Sequence, residues 1–145
     1  MLKTDPPIIV EQELNAKIEL TWSVLTQLDH MKNWFFAQIP SFNAEVGFET
    51  NFVIQHDGRS FDHHWKIIHV EKERSITYNW RYQGYEGDST VQFELIPKGA
   101  NTMIRLTAVV LEDFPQHIPE FKRESCVGGW NYFIRQSLPK YMDSL

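Results

Sequence analysis

Two hydrophobic periods divide this chain. Ile8, Val10 and Leu14 share one face of a segment that reads as a strand from Ile8 to Leu14. Ile18, Trp22 and Leu25 then recur at helical spacing, with Asn15 as the candidate N-cap. Asp29 is the candidate cap of a second short helix carrying Met31, Trp34 and Phe35. The stretch from Phe36 to Val46, with Pro40 and Asn43, reads as a loop.

From Phe48 the period becomes two. Phe48, Thr50, Phe52 and Ile54 alternate with Glu49, Asn51, Val53 and Gln55. Asp57-Gly58 signals a tight hairpin, because a type I′ turn needs positive φ at both central residues. That turn sets Phe52 opposite His63 and Thr50 opposite Trp65. A second turn over Glu71 to Arg74, with Val70 paired to Ser75, sets His63 opposite Tyr82, Trp65 opposite Trp80 and Ile67 opposite Tyr78. Both hairpins turn the same residues inward. Val91, Phe93 and Leu95 continue that face, Pro97-Lys98-Gly99 makes the next turn, and Ile104, Leu106, Ala108 and Val110 complete it.

A meander with one apolar face needs a cover. Trp130, Phe133, Ile134, Leu138, Tyr141, Met142 and Leu145 lie on one helical face and supply it. Pro139 falls inside that helix, removes the amide that would bond the Arg135 carbonyl, and predicts a bend. The pattern therefore describes one α+β domain over residues 1–145, a curved antiparallel sheet over a long C-terminal helix. Residues 1–7 are expected to be a loose end.

Composition narrows the function classes. The net charge is −5 with no cluster of Lys and Arg, which argues against nucleic acid as a partner. No apolar run is long enough to insert in a membrane, and no signal-peptide layout opens the chain. The single Cys126 permits no internal disulfide and fits a cytoplasmic location. Aromatic residues make up 14% of the chain, and large rings line pockets as well as cores.

Four local words carry a family resemblance. IELTWSVLTQLDHMKNWF (18–35), EVGFETNF (45–52), IIHVEKERSITYNW (67–80) and GGWNYFIRQSLPKYM (128–142) together resemble the homologues of the activator of heat shock protein 90 ATPase. Those proteins belong to the START-like, or SRPBCC, superfamily. The resemblance implies the helix-grip, Bet v 1-like fold with two short helices after the first strand. It also implies a hydrophobic cavity between sheet and terminal helix, which relatives use for lipids, hormones or polyketides. Lys72-Glu73 stands where family members often have Pro-Pro, and nothing corresponds to the extra N-terminal domain of the eukaryotic activators.

The candidate ligand-binding residues are the inward rings of the sheet: Phe52, His63, Trp65, Tyr78, Trp80, Tyr82 and Phe93. Gly129, Trp130 and Phe133 face them from the terminal helix. These side chains either line a pocket or fill it. His63 either orients a ligand's polar group or is satisfied by the Tyr82 hydroxyl or by water, and the second reading is preferred. Gly128-Gly129 marks either a close approach of backbone or ligand or a break in the helix. Phe36, Ile39 and Phe42, with Phe114 and Ile118, either gate the cavity or plug the open end of the core.

Arg59 is expected in solvent at the sheet's rim, and Cys126 as a small buried hydrophobe. Neighbouring His63 and His64 point to opposite faces of a strand, so no metal site is assigned. Glu112 is the only inward acid, so no catalytic residue and no cofactor are assigned. The leading reading is a binding protein for an apolar or amphipathic small molecule, lipid-like or aromatic. A module that regulates a chaperone ATPase, with a place in the stress response, is the alternative. A small cyclase or hydrolase is the third reading, and enzymatic activity stays open. The chain is expected as a monomer or homodimer.

Overall fold

Buried side chains alternate with half-buried or exposed ones along the strands of the computed structural model, which describes residues 1–145. The strands are β1 (Ile8–Leu14), β2 (Glu49–His56), β3 (Arg59–Glu71), β4 (Ser75–Gln83), β5 (Asp88–Lys98) and β6 (Asn101–Glu112). They form one antiparallel sheet in the order β1-β6-β5-β4-β3-β2. Helices α1 (Ile18–Thr26) and α2 (Leu28–Trp34) follow β1, and the chain ends in the long helix. This is the helix-grip arrangement that the sequence implies.

The β2–β3 hairpin has the expected register along its whole length, with Asp57 and Gly58 at φ 50° and 77°. The next hairpin matches it from His63–Tyr82 to Ile67–Tyr78 and then slips by one residue. Ile68 is the extra residue of a β-bulge, so Val70 pairs with Ile76, not Ser75. The loop then closes over Lys72, Glu73 and Arg74 with Glu73 at φ 63°. Proline cannot adopt that angle, so this loop excludes Pro at position 73. The β5–β6 turn is Gly99-Ala100, and Pro97 and Lys98 belong to β5.

Both helix caps differ from expectation. Helix α1 starts from Lys17, because Asn15 and Ala16 form a bend in which Ala16 accepts the Thr102 hydroxyl at 2.9 Å. Helix α2 starts from Gln27, which leaves Asp29 in the first turn, where its charge suits the helix dipole. Residues 1–7 are not loose: the Met1 nitrogen donates to the Phe121 carbonyl at 2.6 Å and Lys3 N–H to Asp113 at 2.7 Å. Arg123 donates to the carbonyls of Pro6 and Pro7.

The terminal helix runs unbroken from α3 (Arg123–Tyr132) through a π-helical stretch (Phe133–Ser137) into α4 (Leu138–Asp143). Leu138 N–H bonds the Phe133 carbonyl five residues back. The wider turn absorbs Pro139, whose ring would clash in a regular α-helix. Ser137 Oγ, bonded to the Trp34 carbonyl at 2.6 Å, and Tyr141, bonded to His30 Nδ1 at 2.7 Å, tie this end to α2. The main core is one cluster of 26 buried residues between sheet and helices. Phe61, Phe114 and Phe121 form a second, separate cluster.

Candidate ligand cavity

A cavity of about 320 Å³ lies between the two apolar clusters, which are bridged by the partly buried Met1 and Tyr82. That size is at the small end of the range for ligand sites. Ile8, Trp80, Val91 and Trp130 line it from the main core, and Phe61, Phe114 and Phe121 from the smaller cluster. Its mouth is formed by the tip of the β2–β3 hairpin and the start of the terminal helix, where His56, Ser125 and Gly129 are exposed. A Cβ on Gly128 or Gly129 would meet nothing within 4 Å. Neither glycine answers to a close contact or a helix break, and Gly129 leaves the mouth open.

Six candidate residues from the sequence line this cavity: His63, Trp80, Tyr82, Gly129, Trp130 and Phe133. Phe52, Trp65, Tyr78 and Phe93 do not, because another ring occupies the space above most of them. Phe35, 8% exposed, sits with its centroid 5.5 Å from Trp65, 6.0 Å from Phe93 and 4.9 Å from Phe133. Phe42 covers Tyr78 in the same way, stacked at 5.8 Å. Of the two apolar loops, Ile39, Phe42 and Phe114 are buried plugs, while Phe36 and Phe114 also form cavity wall.

His63 is 6% exposed and stacks on Phe52 at 4.9 Å. Its Nδ1 lies 3.0 Å from the Phe61 carbonyl, so its partner is backbone and not the Tyr82 hydroxyl. That hydroxyl instead accepts Trp80 Nε1–H at 2.9 Å. Burial lowers the His63 pKa to about 4, against the help of the Phe61 bond, and keeps the imidazole neutral. A group of that basicity accepts hydrogen bonds but is a poor proton acceptor at neutral pH. Burial likewise pushes the Tyr82 phenol upward and the Cys126 thiol to about 11. Cys126 lines the cavity with Sγ 3.6 Å from the Glu120 carbonyl, and its thiolate is scarce.

Glu120 is the functional-looking residue that sequence reading missed. It lies in a 3₁₀ turn (Pro119–Phe121) whose position relative to the hairpin no periodicity reveals. Its carboxylate takes two 2.8 Å bonds from Arg59 and one contact of 2.6 Å to His56 Nδ1. Arg59 is therefore ion-paired at the rim and not free in solvent. The Arg59 bonds, aided by His56, lower the Glu120 pKa to about 2. His56, Asp57 and Glu120 bring three ligand-type atoms together, yet Arg59 already holds the carboxylate and Asp57 is exposed. Glu112, expected to point inward, is exposed.

No helix is long and apolar enough to cross a membrane. The family described as Activator of Hsp90 ATPase homolog 1-like protein matches residues 15–143. No curated protein matches. A crystal structure of a Mesorhizobium loti protein superposes with TM-score 0.75 and 23% identity over 96% of this chain and 98% of the other. The solution structure of an Aha1 dimer from Colwellia psychrerythraea gives TM-score 0.70 and 18% identity over 95% and 96%. A START superfamily protein from Mycobacterium smegmatis gives TM-score 0.70 and 12% identity over 95% and 97%. At these identities the structures establish a shared fold, and the match over residues 15–143 establishes the family: the chain belongs to the Activator of Hsp90 ATPase homolog 1-like proteins.

Proposed function

We propose that this protein binds an apolar or amphipathic small molecule in the cavity between its two aromatic clusters. The observation that carries this reading is the cavity itself: mostly hydrophobic, about 320 Å³, and open beside a glycine that no packing requires. The ligand is held by Trp80, Trp130, Phe133, Phe61 and Phe121, with His63 and Tyr82 as polar contacts.

A thermal-shift and native mass-spectrometry screen with fatty acids, sterols and fused aromatic rings tests it. A ligand at 100 times its Kd adds about 2.7 kcal/mol of stability. Stabilisation that disappears in Gly129→Leu, which adds a bulky side chain to the cavity lining, supports the reading. Failure of every class to stabilise the protein counts against it.

A second reading follows from the family description, that of a module acting on a chaperone ATPase. Its contact surface is then the outer face, where Val53 and Ile68 are 45% and 43% exposed. The host chaperone's ATPase rate, measured with wild type and with Val53→Asp, decides it. An unchanged rate with wild type removes this reading.

A further inference from the structure

Most polar side chains lining the cavity are already satisfied within the protein. Ser89 Oγ donates to the Trp80 carbonyl at 2.7 Å and Ser125 Oγ to the Pro119 carbonyl at 2.9 Å. Arg123 is spent on the carbonyls of Pro6 and Pro7, and His56 and Glu120 bond each other. Two side chains keep unused capacity, and they are neighbours. His63 and Tyr82 are cross-strand partners on β3 and β4, with ring centroids 4.7 Å apart.

Their unused atoms have opposite sense. The Phe61 carbonyl can only accept, so His63 Nδ1 carries the proton and Nε2 presents a lone pair. That Nε2 has no protein partner. The only side-chain polar atom both unpartnered and sealed from solvent is Trp65 Nε1, so Nε2 is not sealed, and His63 lines the cavity. The Tyr82 oxygen accepts the Trp80 indole proton, and its own proton has no acceptor within the protein. The cavity wall therefore offers one acceptor and one donor side by side.

Resting on the cavity reading above, we propose that the ligand is a neutral hydroxyl compound, an alcohol or phenol on an apolar body. Its O–H donates to His63 Nε2 and its oxygen accepts from the Tyr82 hydroxyl. A hydrocarbon leaves both groups unpaired in an apolar wall, which is costly. A carboxylate cannot donate to Nε2, and the two cations of the cavity lining, the Met1 ammonium and Arg123, already donate to the carbonyls of Phe121, Pro6 and Pro7. Burial holds His63 neutral at pH 7, so the acceptor is present there.

Three probes of one shape test this: naphthalene, 2-naphthol and 2-naphthoate, with Kd measured at pH 7 by fluorescence. Wild type is expected to bind naphthol at least about tenfold more tightly than the other two, the scale of one satisfied hydrogen bond. Tyr82→Phe and His63→Leu are each expected to erase that preference by weakening naphthol binding about tenfold, while naphthalene, which leaves these groups unpaired in wild type, binds no more weakly than before. Equal binding of naphthalene and naphthol, or tightest binding of naphthoate, overturns the hydroxyl proposal and leaves the cavity reading standing. No saturable binding of any probe overturns both. Should His63→Leu fail to fold, Tyr82→Phe decides alone, because an undiminished naphthol preference in that variant contradicts the proposal.

Discussion

Phe35 stacks on Trp65, with ring centroids 5.5 Å apart and planes inclined by 22°. This contact decides where the protein has room. The ring fills the centre of the grip, between the middle of the sheet and Phe133 on the terminal helix, and confines empty space to the end beyond Trp80. Removing a buried Phe side chain costs about 3–5 kcal/mol, because the surroundings only partly collapse. Phe35→Ala is therefore expected to lose about that much stability in urea denaturation. It is also expected to admit larger fused-ring probes than wild type does. A variant of wild-type stability would show that Phe35 is not a core ring.

Gly87 and Phe114 form an equally specific pair. Gly87 has φ 114°, and a Cβ there would run into the Phe114 ring. Since Phe114 is 2% exposed and walls the cavity, it has nowhere to retreat except into that space. Gly87→Ala is expected to cost about 1–3 kcal/mol, the range for overpacking, and to reduce ligand affinity. Thermal denaturation and a binding isotherm measured on the same variant check both.

Gly128 predicts the opposite sign. It lies in the middle of α3 at an ordinary helical angle, and a Cβ meets no neighbour. Gly128→Ala is expected to raise stability by about 0.5–1 kcal/mol through the unfolded chain's lost freedom. A loss of stability in chemical denaturation would mean that this turn is more crowded than the geometry indicates.

Two titrations separate by pH. The His63 pKa falls from 6.5 to about 4 on folding, because burial disfavours the charged ring. Between those values the unfolded chain holds a proton that the folded chain lacks, so stability drops as pH falls through this window. The loss is on the order of 3 kcal/mol, and His63→Leu is expected to flatten it. Glu120 acts lower. Its folded pKa of about 2, depressed first by Arg59, gives stability that is present above about pH 4.5 and lost as pH falls toward 2. Glu120→Gln is expected to flatten only that acid limb. His56, raised by its bond to Glu120, contributes in the reverse sense and loses its share as pH rises above 6.5. Exposure keeps that share small. Urea midpoints from pH 2 to 8 for the three proteins resolve these windows.

The inward face of the sheet was legible because a strand's period of two leaves little choice once a type I′ turn fixes the register. That reasoning reached His63, Trp80 and Tyr82, and the helical period reached Trp130 and Phe133. It stopped at irregular backbone. Ile68 bulges because the following loop has three residues, and neither Lys72 nor Glu73 announces a left-handed angle. Phe35 carries the same apolar signature as its neighbours, and only the turn after α2 sends it into the middle of the grip. Glu120 meets Arg59 across 61 residues through a 3₁₀ turn, a contact set by tertiary packing alone.

The most direct test follows the tryptophan indole N–H signals by NMR during titration with 2-naphthol. Trp80 and Trp130 line the cavity, whereas Trp34 is buried in the core with its Nε1–H bonded to the Val24 carbonyl at 2.9 Å. Saturable shifts of the Trp80 and Trp130 signals are expected, with Trp34 unmoved and the response abolished in Gly129→Leu. A shift of Trp34 with Trp80 and Trp130 unmoved, or no saturable shift at all, would contradict binding in this cavity.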